Sequence, residues 1–369
     1  MTIDRRRLLT GAVAAPLALG LRPAWGLGSP RVFVSACGDA AGRFSVRAVA
    51  ADGRLLFDLA LPGRGHAATR RPGHNEVVVV ARRPGRFMLA IDPLTGDVAG
   101  QIEAAPGRHF YGHAAFSPDG RWLFVAENAY AEGRGVIGVY DAVAGYRRSR
   151  ELPSHGIGPH ELAMLSDGRR LVVANGGIRT HPESGRRKLN LETMRPSLAY
   201  VDAANGALLQ RFTLPGELHR LSIRHMAVTA DDQVCLALQN EGPRDRLVPL
   251  AGRQRGEAPI ALMPGPEDVL RRMRHYTGGA ALDDGGLVLA VSAPRGGLVS
   301  FWLPQEGRWL GSLAVPDGCG LAGAGGAGRF AVSSGAGRLL LHDAFSGRSE
   351  TLRDDGRSGL AWDNHLLAV

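Results

Sequence analysis

Lysine is nearly absent from this chain, because Lys188 is the only lysine among 44 basic residues. Arginine therefore carries almost all of the positive charge, as a GC-rich coding bias would produce. The formal net charge of +9 is for that reason weak evidence for any particular partner. The arginines are scattered and are not interleaved with stacking aromatic residues, which make up 6% of the chain. This composition argues against a nucleic-acid-binding module.

Cysteines are also few: Cys37, Cys235 and Cys319 are the three in the sequence, and they lie far apart. Their odd number and wide spacing argue against a disulfide framework and against a cysteine-based metal site. Cys235 stands in an apolar run and is expected to be a small core residue. Cys319, at the start of a predicted strand, is the one thiol that could face a functional site.

Common catalytic motifs are missing as well. The sequence contains no Gly-x-Ser-x-Gly elbow and no His-Glu-x-x-His pair. The glycine-rich segment 318–328 is not followed by a predicted helix, so it does not read as a phosphate-binding loop. Local motifs therefore do not assign the chain to a hydrolase or nucleotide-binding class.

No apolar run is long enough for a good membrane span, and the run at residues 8–19 is short and rich in alanine. Three arginines precede it and small residues follow it, so we predict that residues 1–26 are a signal peptide. Residues 4–9, Asp-Arg-Arg-Arg-Leu-Leu, resemble the twin-arginine export motif, whose route carries folded proteins. We expect a periplasmic, monomeric protein without a membrane span after cleavage. The alternative is an ordinary secretion signal with a basic start.

Glycine and proline are abundant, with 51 and 22 residues that stand mostly singly or in pairs between short apolar runs. This spacing is typical of tight turns between many short strands and predicts an all-β protein. The chain also repeats a unit: a Gly or His start, a turn ending in Asp-Gly, two apolar strands and a Gly turn. Residues 112–145 are the clearest copy, and other copies start near His66, His160, His225, Tyr276, Cys319 and Gly359.

The starts at 66, 113 and 160 are evenly spaced, at the period of about 40–50 residues that four-stranded propeller blades show. Six units are complete, and we predict that a seventh is shared by C-terminal residues 358–369 and N-terminal strands near 31–36, 44–49 and 55–60. The predicted fold is a seven-bladed β-propeller in one domain, residues 27–369, although six or eight blades remain compatible with the repeat. Two long insertions, 176–196 and 241–274, are expected to form lids or rim contacts.

Histidines recur at the start of the predicted inner strands, which line the channel of a propeller. His66 and His113 each precede the turn glycine by seven residues, His225 occupies the same slot, and His160-Glu161 is offset by one. Convergent imidazoles with a carboxylate suit a transition metal such as iron or copper. We therefore predict a metal site, and the alternative is that these side chains bind buried water and backbone groups. The predicted ligands are His66, His113, His160, Glu161 and His225.

Further polar residues are expected at the rim of the channel or behind the ligands. They are His109, Glu127, Asn128, His155, Asn175, Asn240, Glu241, His275, Tyr276 and Cys319. Turn formation is the alternative role for the asparagines, because asparagine tolerates left-handed backbone. The remaining candidates His74, His181, His342 and His365 are predicted to lie at the surface.

Several segments together resemble the DUF1513 family of exported bacterial proteins. They are the twin-arginine start, His109–His113 with Phe116–Gly120, Gly158–Leu162, Arg224–Met226 and Trp362–His365. The resemblance covers the whole mature chain and implies a periplasmic seven-bladed propeller related to YVTN and lactonase-like repeat proteins. It also implies partners in periplasmic iron handling, namely imelysin-like and di-haem oxidoreductase-like proteins.

Three functions follow as hypotheses. The first is a periplasmic binding protein that holds a transition metal through its channel histidines. The second is a propeller enzyme, a metal-assisted hydrolase or an oxidoreductase acting on a small molecule. The third is a scaffold whose rim docks other proteins and whose histidines are structural.

Overall fold

The computed structural model describes residues 31–369. The predicted signal peptide, with its twin-arginine motif, lies outside the described residues. The described chain forms seven antiparallel sheets that follow one another around a central channel, and this confirms the predicted seven-bladed all-β propeller. No helix in this part of the chain is long and apolar enough to cross a membrane.

Each blade has its innermost strand at the channel and three further strands outside it. The strands, innermost first, are: blade 1, Ala361–Trp362 and Leu367–Ala368 as two pieces of one edge, then Val32–Gly38, Phe44–Ala50 and Leu55–Ala60; blade 2, Gly65–Arg70, Val77–Ala81, Phe87–Ile91 and Val98–Glu103; blade 3, Arg108–Phe116, Trp122–Ala129, Arg134–Asp141 and Arg147–Pro153; blade 4, Pro159–Met164, Arg170–Asn175, Ser197–Asp202 and Leu208–Thr213; blade 5, Leu221–Val228, Val234–Asn240, Ala251–Gln254 and Ala261–Met263; blade 6, Gly279–Leu282, Leu289–Ala293, Leu298–Leu303 and Arg308–Ala314; blade 7, Gly318–Gly323, Arg329–Ser334, Arg338–Asp343 and Ser349–Asp354.

The ring is closed by the two ends of the described chain, as predicted. Val32–Gly38 pairs on one side with Phe44–Ala50 and on the other with both C-terminal pieces. Cys37 is opposite Trp362, and Phe33 is opposite Ala368. The N- and C-terminal strands thus share one blade, which leaves no unpaired edge where the ring would otherwise open.

The hydrophobic core lies between neighbouring blades. Strands in the middle of a blade face another blade on both sides, so Val77–Ala81 is buried at every position. The outermost strand Leu208–Thr213 alternates between exposed and half-buried residues, because only one of its faces is covered. Phe110 of blade 3 packs with Val80 of blade 2 in one such interblade cluster.

The turn after the third strand is built the same way in four blades. An aspartate side chain accepts the backbone N–H two residues further on, which fixes a tight Asx turn before the turn glycine. The donors and acceptors are Leu94 to Asp92 (2.7 Å), Val143 to Asp141 (3.0 Å), Ala204 to Asp202 (2.8 Å) and Phe345 to Asp343 (3.0 Å). These are the strand ends that the sequence repeat aligned.

The helical segments are short. Within residues 31–369, five are single 3-10 turns and one is an α-helix: Pro182–Ser184, Leu191–Thr193, Gly216–Leu218, Pro294–Gly296, Gly356–Ser358 and the α-helix Glu267–Arg272. The insertion 176–196 is a long loop, as predicted. The prediction of a second long loop at 241–274 is wrong in part, because Ala251–Gln254 and Ala261–Met263 complete blade 5. These strands are too short, and too polar at Arg253 and Gln254, to show a clear alternation.

Candidate functional site

The channel histidines lie where the inner strands leave regular pairing. Pairing with the second strand shifts register at this point in blades 2, 3, 4 and 5, which inserts extra residues on the inner strand and turns their side chains. The shift lies between Gly65 and Ala68, Phe110 and Ala114, Pro159 and Glu161, and Ile223 and His225. His66, His113 and His160 fall inside these bulges, which explains the one-residue offset of His160 in the repeat.

The structure brings all four predicted histidines together and adds His365 to them. His113 is central, because its ring lies within 5.5 Å of the other four. The centroid distances from His113 are 5.1 Å to His66, 5.3 Å to His160, 5.5 Å to His225 and 4.5 Å to His365. We call these five residues the histidine cluster. His365 was predicted to lie at the surface, and that prediction is wrong.

Two groups of three histidines in the cluster have the spacing of a metal site, and His113 belongs to both. One group is His66, His113 and His365, and the other is His113, His160 and His225. Within each group the ligating nitrogens lie within 4.8 Å of one another. Nitrogens at about 2.1 Å from a common ion are at most about 4.2 Å apart, so small side-chain rotations suffice to close the site.

Two carboxylates stand behind the rings. Nδ1 of His66 lies 3.1 Å from Oδ1 of Asp363, and Nδ1 of His225 lies 3.2 Å from Oε2 of Glu161. The other oxygen of Glu161 faces Nδ1 of His113 at 3.6 Å. This is the carboxylate–histidine arrangement that orients metal-binding imidazoles. Glu161 was predicted as a direct ligand, but it belongs to neither group of three histidines. Its carboxylate instead faces the Nδ1 atoms of His113 and His225.

The cluster is neutral at ordinary pH. Burial lowers the pKa of all five histidines: His66, His113, His160, His225 and His365. The charge of Arg224 lowers the pKa of His160 and His225 further. A neutral imidazole keeps a lone pair for a metal.

The pKa values of the two carboxylates shift in opposite directions. Burial raises the pKa of Glu161 to about 8, although 20% of its side-chain surface remains exposed. Burial would also raise the pKa of Asp363, but the hydrogen bond with His66 and the charges of Arg64 and Arg82 outweigh it and lower that pKa. A cation among the histidines would favour the charged form of both Glu161 and Asp363.

Three nitrogens of the cluster are buried without a hydrogen-bond partner in residues 31–369. They are Nε2 of His113, Nδ1 of His160 and Nε2 of His365. Buried polar atoms are almost always hydrogen-bonded, so each such atom calls for an explanation. A cation bound by either group of three would take up such nitrogens, and ordered water is the alternative partner.

A cavity of about 470 Å³ opens beside the cluster. Three members of the cluster, His66, His160 and His225, form part of its lining. The insertion 176–196 covers one side through residues such as Ile178 and Thr180. Burial lowers the pKa of three arginines in the wall, Arg82, Arg83 and Arg224, which marks them as desolvated charges.

Of the ten residues predicted at the rim or behind the ligands, His109, Glu241 and Tyr276 line this cavity. His109 donates from Nδ1 to the carbonyl of Phe110 and accepts from Nδ2 of Asn128 at Nε2, both at 3.0 Å. Asn128 therefore positions His109 without lining the cavity.

The other predicted rim residues do not line the cavity and instead form hydrogen bonds within the fold. Glu127 is fully buried, where Tyr140 and Arg148 donate to it. Asn175 donates to the carbonyl of Ser154, and Asn240 accepts the backbone N–H of Gly242 in a turn. His155, His275 and Cys319 do not line the cavity either. The first two hydrogen-bond to the carbonyls of Gly206 and Arg244, and the Cys319 thiol donates to the carbonyl of Asp363, with burial raising its pKa to about 12.

The remaining histidine predictions have mixed outcomes. His74 is exposed, as predicted. His342 is buried, because its ring stacks on Phe301 of the neighbouring blade at 5.2 Å. His181 is half-buried and lines the cavity. Sequence reasoning also missed Asp363 and the cavity arginines. The alignment of Trp362–His365 with an innermost strand was the signal that could have placed Asp363 and His365 in the channel.

The same fold occurs in solved structures at low sequence identity. Hydrazine synthase of Kuenenia stuttgartiensis is 14% identical with a TM-score of 0.62, over 85% of this chain and 93% of that one. The β-propeller domain of Cps50 (Swd1) from Myceliophteria thermophila is 12% identical with a TM-score of 0.58, over 81% of this chain and 93% of that one. At these identities the likeness concerns the fold alone.

Comparison with curated proteins gives no match. The family described as "Protein of unknown function (DUF1513)" matches residues 59–369, which include blades 2 to 7 and the closing C-terminal strands. This match confirms the resemblance inferred from the histidine motifs. The chain therefore belongs to the DUF1513 family.

Proposed function

We propose that this propeller binds one transition-metal ion, iron or copper, in its channel through the histidine cluster. The observation that carries the proposal is the set of three buried nitrogens without partners, at His113, His160 and His365. They belong to five closely packed rings whose lowered pKa values keep them unprotonated. His113, common to both groups of three, is the central ligand.

The donor set favours this class of metal. Imidazole is a good ligand for copper, iron, zinc and nickel, whereas calcium and magnesium prefer oxygen. Among divalent first-row ions copper binds such nitrogen sites most tightly, and iron is favoured by the expected link to iron-handling partners. Asp363 and Glu161 would hold the rings in position, as outer carboxylates do in other histidine sites.

The proposed setting is the periplasm, reached by the twin-arginine route. Residues 4–9 support this route, and export in the folded state would allow a metal to be loaded before competition from other ions outside the cytoplasm. Imelysin-like and di-haem oxidoreductase-like proteins are the proposed partners in iron handling.

Metal analysis tests the proposal. The mature chain, purified from the periplasm without an affinity tag, would be assayed for iron, copper and zinc and titrated with each ion. We expect about one ion per chain. The double variant His113→Ala/His225→Ala should lose that ion, whereas His74→Ala, which alters an exposed histidine, should keep it. Equal metal content in the double variant and the wild type would refute the site.

A propeller enzyme is the second candidate, because a cavity of about 470 Å³ directly adjoins the cluster. This volume lies in the range of small-molecule sites. The chemistry would be metal-assisted hydrolysis or oxidation of a small molecule. Turnover of a substrate library by the metal-loaded wild type, lost in the double variant, would separate catalysis from binding alone.

A further inference from the structure

Positive charge dominates the lining of the cavity. Within residues 31–369 six cationic side chains line it, against the one carboxylate of Glu241; the six are Arg82, Arg83, Arg186, Lys188, Arg224 and Arg295. That carboxylate is already engaged, because Nζ of Lys188 donates to it. Arg295 lies over the ring of Tyr276, at 4.1 Å from the ring centroid. The five guanidinium groups therefore have no free carboxylate in the lining to pair with.

Three of these arginines, Arg82, Arg83 and Arg224, are half-buried. No side-chain hydrogen bond or ion pair joins any of the three to another residue in the described part of the chain. The Nε atom of Arg224 is completely buried and has no acceptor. A partly desolvated charge without a partner destabilises the folded state, so folding tolerates these groups only against some opposing gain.

Among the half-buried arginines of residues 31–369, the lack of partners is confined to the cavity. Arginines elsewhere in the propeller are commonly paired: Arg64 donates to Asp363 at 2.5 Å, and Arg108 forms ion pairs with Glu132 and Glu151. Apart from Glu241, the described lining contains no acidic side chain that could neutralise Arg82 and Arg224. Asp363 lies outside the lining, and although its charge acts on Arg82, it accepts a hydrogen bond from Arg64. The unbalanced charge is thus a property of this cavity.

The arginines reach the cavity from separate blades. Arg82 and Arg83 directly follow the second strand of blade 2, Val77–Ala81. Arg224 is the extra residue in the bulge of the inner strand of blade 5, next to His225. Blades 3 and 4 stand between them on one side of the ring, so a ligand between these arginines would lie across the channel mouth. Each arginine lies in a strand or directly beside one, and this fixes the position from which its side chain enters the cavity.

We propose that the cavity binds a small molecule with at least two negatively charged oxyanion groups, a polycarboxylate or a phosphate ester, through Arg82, Arg83 and Arg224. Guanidinium groups form paired hydrogen bonds with both kinds of oxyanion. The cavity volume of about 470 Å³ suits a ligand of this size. The walls also offer the aromatic rings of Tyr111 and Tyr276 to the carbon skeleton. This site is independent of the metal, since its contacts come from the arginines.

Calorimetry on the mature chain, freed of metal on a chelating resin, tests the proposal. Citrate serves as the polycarboxylate probe, pyrophosphate as the phosphate probe and acetate as the monoanion control, all at constant ionic strength. The variants are Arg82→Gln and Arg224→Gln. The matched control is Arg54→Gln, which removes the same charge from a side chain that is 70% exposed.

We expect one-to-one binding of citrate or pyrophosphate, with the tighter probe identifying the oxyanion, and little binding of acetate. Arg82→Gln and Arg224→Gln should each weaken binding about tenfold or more, while Arg54→Gln should not. The ligand-free melting temperature of Arg224→Gln should equal or exceed that of the wild type, because an unpaired charge is removed. If Arg224 had only a structural role, Arg224→Gln would instead melt at a lower temperature than the wild type.

Absence of saturable binding by both probes would overturn the proposal, as would equal binding by the two cavity variants and Arg54→Gln. The single variant His113→Ala separates this proposal from the metal site, because His113 belongs to both groups of three histidines but does not line the cavity. It should keep anion binding after losing the metal, so the failure of one function can be distinguished from the failure of the other.

Discussion

The Oε2 atom of Glu161 lies 3.2 Å from Nδ1 of His225 and also accepts the backbone N–H of Met226 at 3.1 Å. Its other oxygen faces Nδ1 of His113. The carboxylate therefore orients the ring of His225 and lies near the ring of His113, beyond hydrogen-bond distance. The backbone contact holds the carboxylate in place, so a single residue faces two rings of the histidine cluster.

Glu161→Gln should weaken metal binding about 10- to 100-fold, as loss of an outer carboxylate does at other histidine sites. Glutamine keeps the size of the side chain but cannot take up the negative charge that a bound cation would favour on Glu161. Competition titration against a chromophoric chelator measures the change. Glu183→Gln is the control, since its side chain is 89% exposed. Unchanged affinity in Glu161→Gln would show that the carboxylate does not support the metal site.

Gly112 lies directly against the ring of His66. Its φ of +109° is left-handed, and a Cβ atom there would lie 2.3 Å from Cδ2 of His66. We expect Gly112→Ala to lower the free energy of unfolding by about 1–3 kcal/mol and to displace His66, which weakens metal binding. Denaturant unfolding and metal titration measure the two effects.

Gly107→Ala is the matched control for this variant. Gly107 has a φ of +70°, but a Cβ atom there would meet no described atom within 4 Å. We therefore expect Gly107→Ala to lower the free energy of unfolding through backbone strain but to leave the metal affinity unchanged. Equal losses of metal affinity in the two variants would contradict the contact with His66.

His109 should make the protein less stable in acid. Burial lowers its pKa from 6.5 to about 4, and its side chain is 2% exposed. The unfolded chain therefore binds a proton near pH 6.5 that the folded chain takes up only near pH 4. Stability is lost as the pH falls through this window, by up to about 3 kcal/mol.

Urea unfolding between pH 7 and pH 4 isolates this contribution when the wild type and His109→Gln are compared. The difference in unfolding free energy between the two proteins should change by up to about 3 kcal/mol across the window. His74→Gln, at an exposed position, should follow the wild type. Parallel curves for wild type and His109→Gln would contradict the lowered pKa.

Trp362 seals the ring of blades. Its side chain is 4% exposed and packs with Phe33 and Leu339 where blade 7 meets blade 1. Trp362→Ala should lower the free energy of unfolding by about 3–5 kcal/mol and weaken metal binding, because Asp363 and His365 follow it directly. Trp362→Phe should lose much less stability and much less metal affinity than Trp362→Ala. Full stability of the alanine variant would show that closure does not depend on this residue.

The positive cavity should slow the entry of a free metal ion. Unpaired charge at Arg82 and Arg224 raises the free energy of a dication on its way to the histidines, and salt screens this effect. Stopped-flow loading of aqueous Cu²⁺ should be several-fold faster in Arg224→Gln than in wild type at low ionic strength, and the difference should shrink in high salt. Equal rates at low salt would place the entry path elsewhere.

Much of the fold follows from local chemistry. Turns at Asp-Gly pairs and Asx turns such as the one at Asp141 depend on neighbouring residues, so a repeat read along the chain was enough to predict seven blades. The same repeat predicted that His66, His113, His160 and His225 would converge, because equivalent positions of a closed ring meet at its axis. Blade 5 shows the limit, since its outer strands were too short to be recognised.

What the sequence by itself determined is therefore the propeller, its closure by the two chain ends and the four-histidine core of the site. Only the tertiary structure decided that His365 joins the histidine cluster, that Asp363 and Glu161 face its rings, and that arginines of blades 2 and 5 line one cavity. Bulges rotate the inner strands, and different blades bring these groups together across the channel. Such contacts depend on distances between residues far apart in the chain, which no local pattern records.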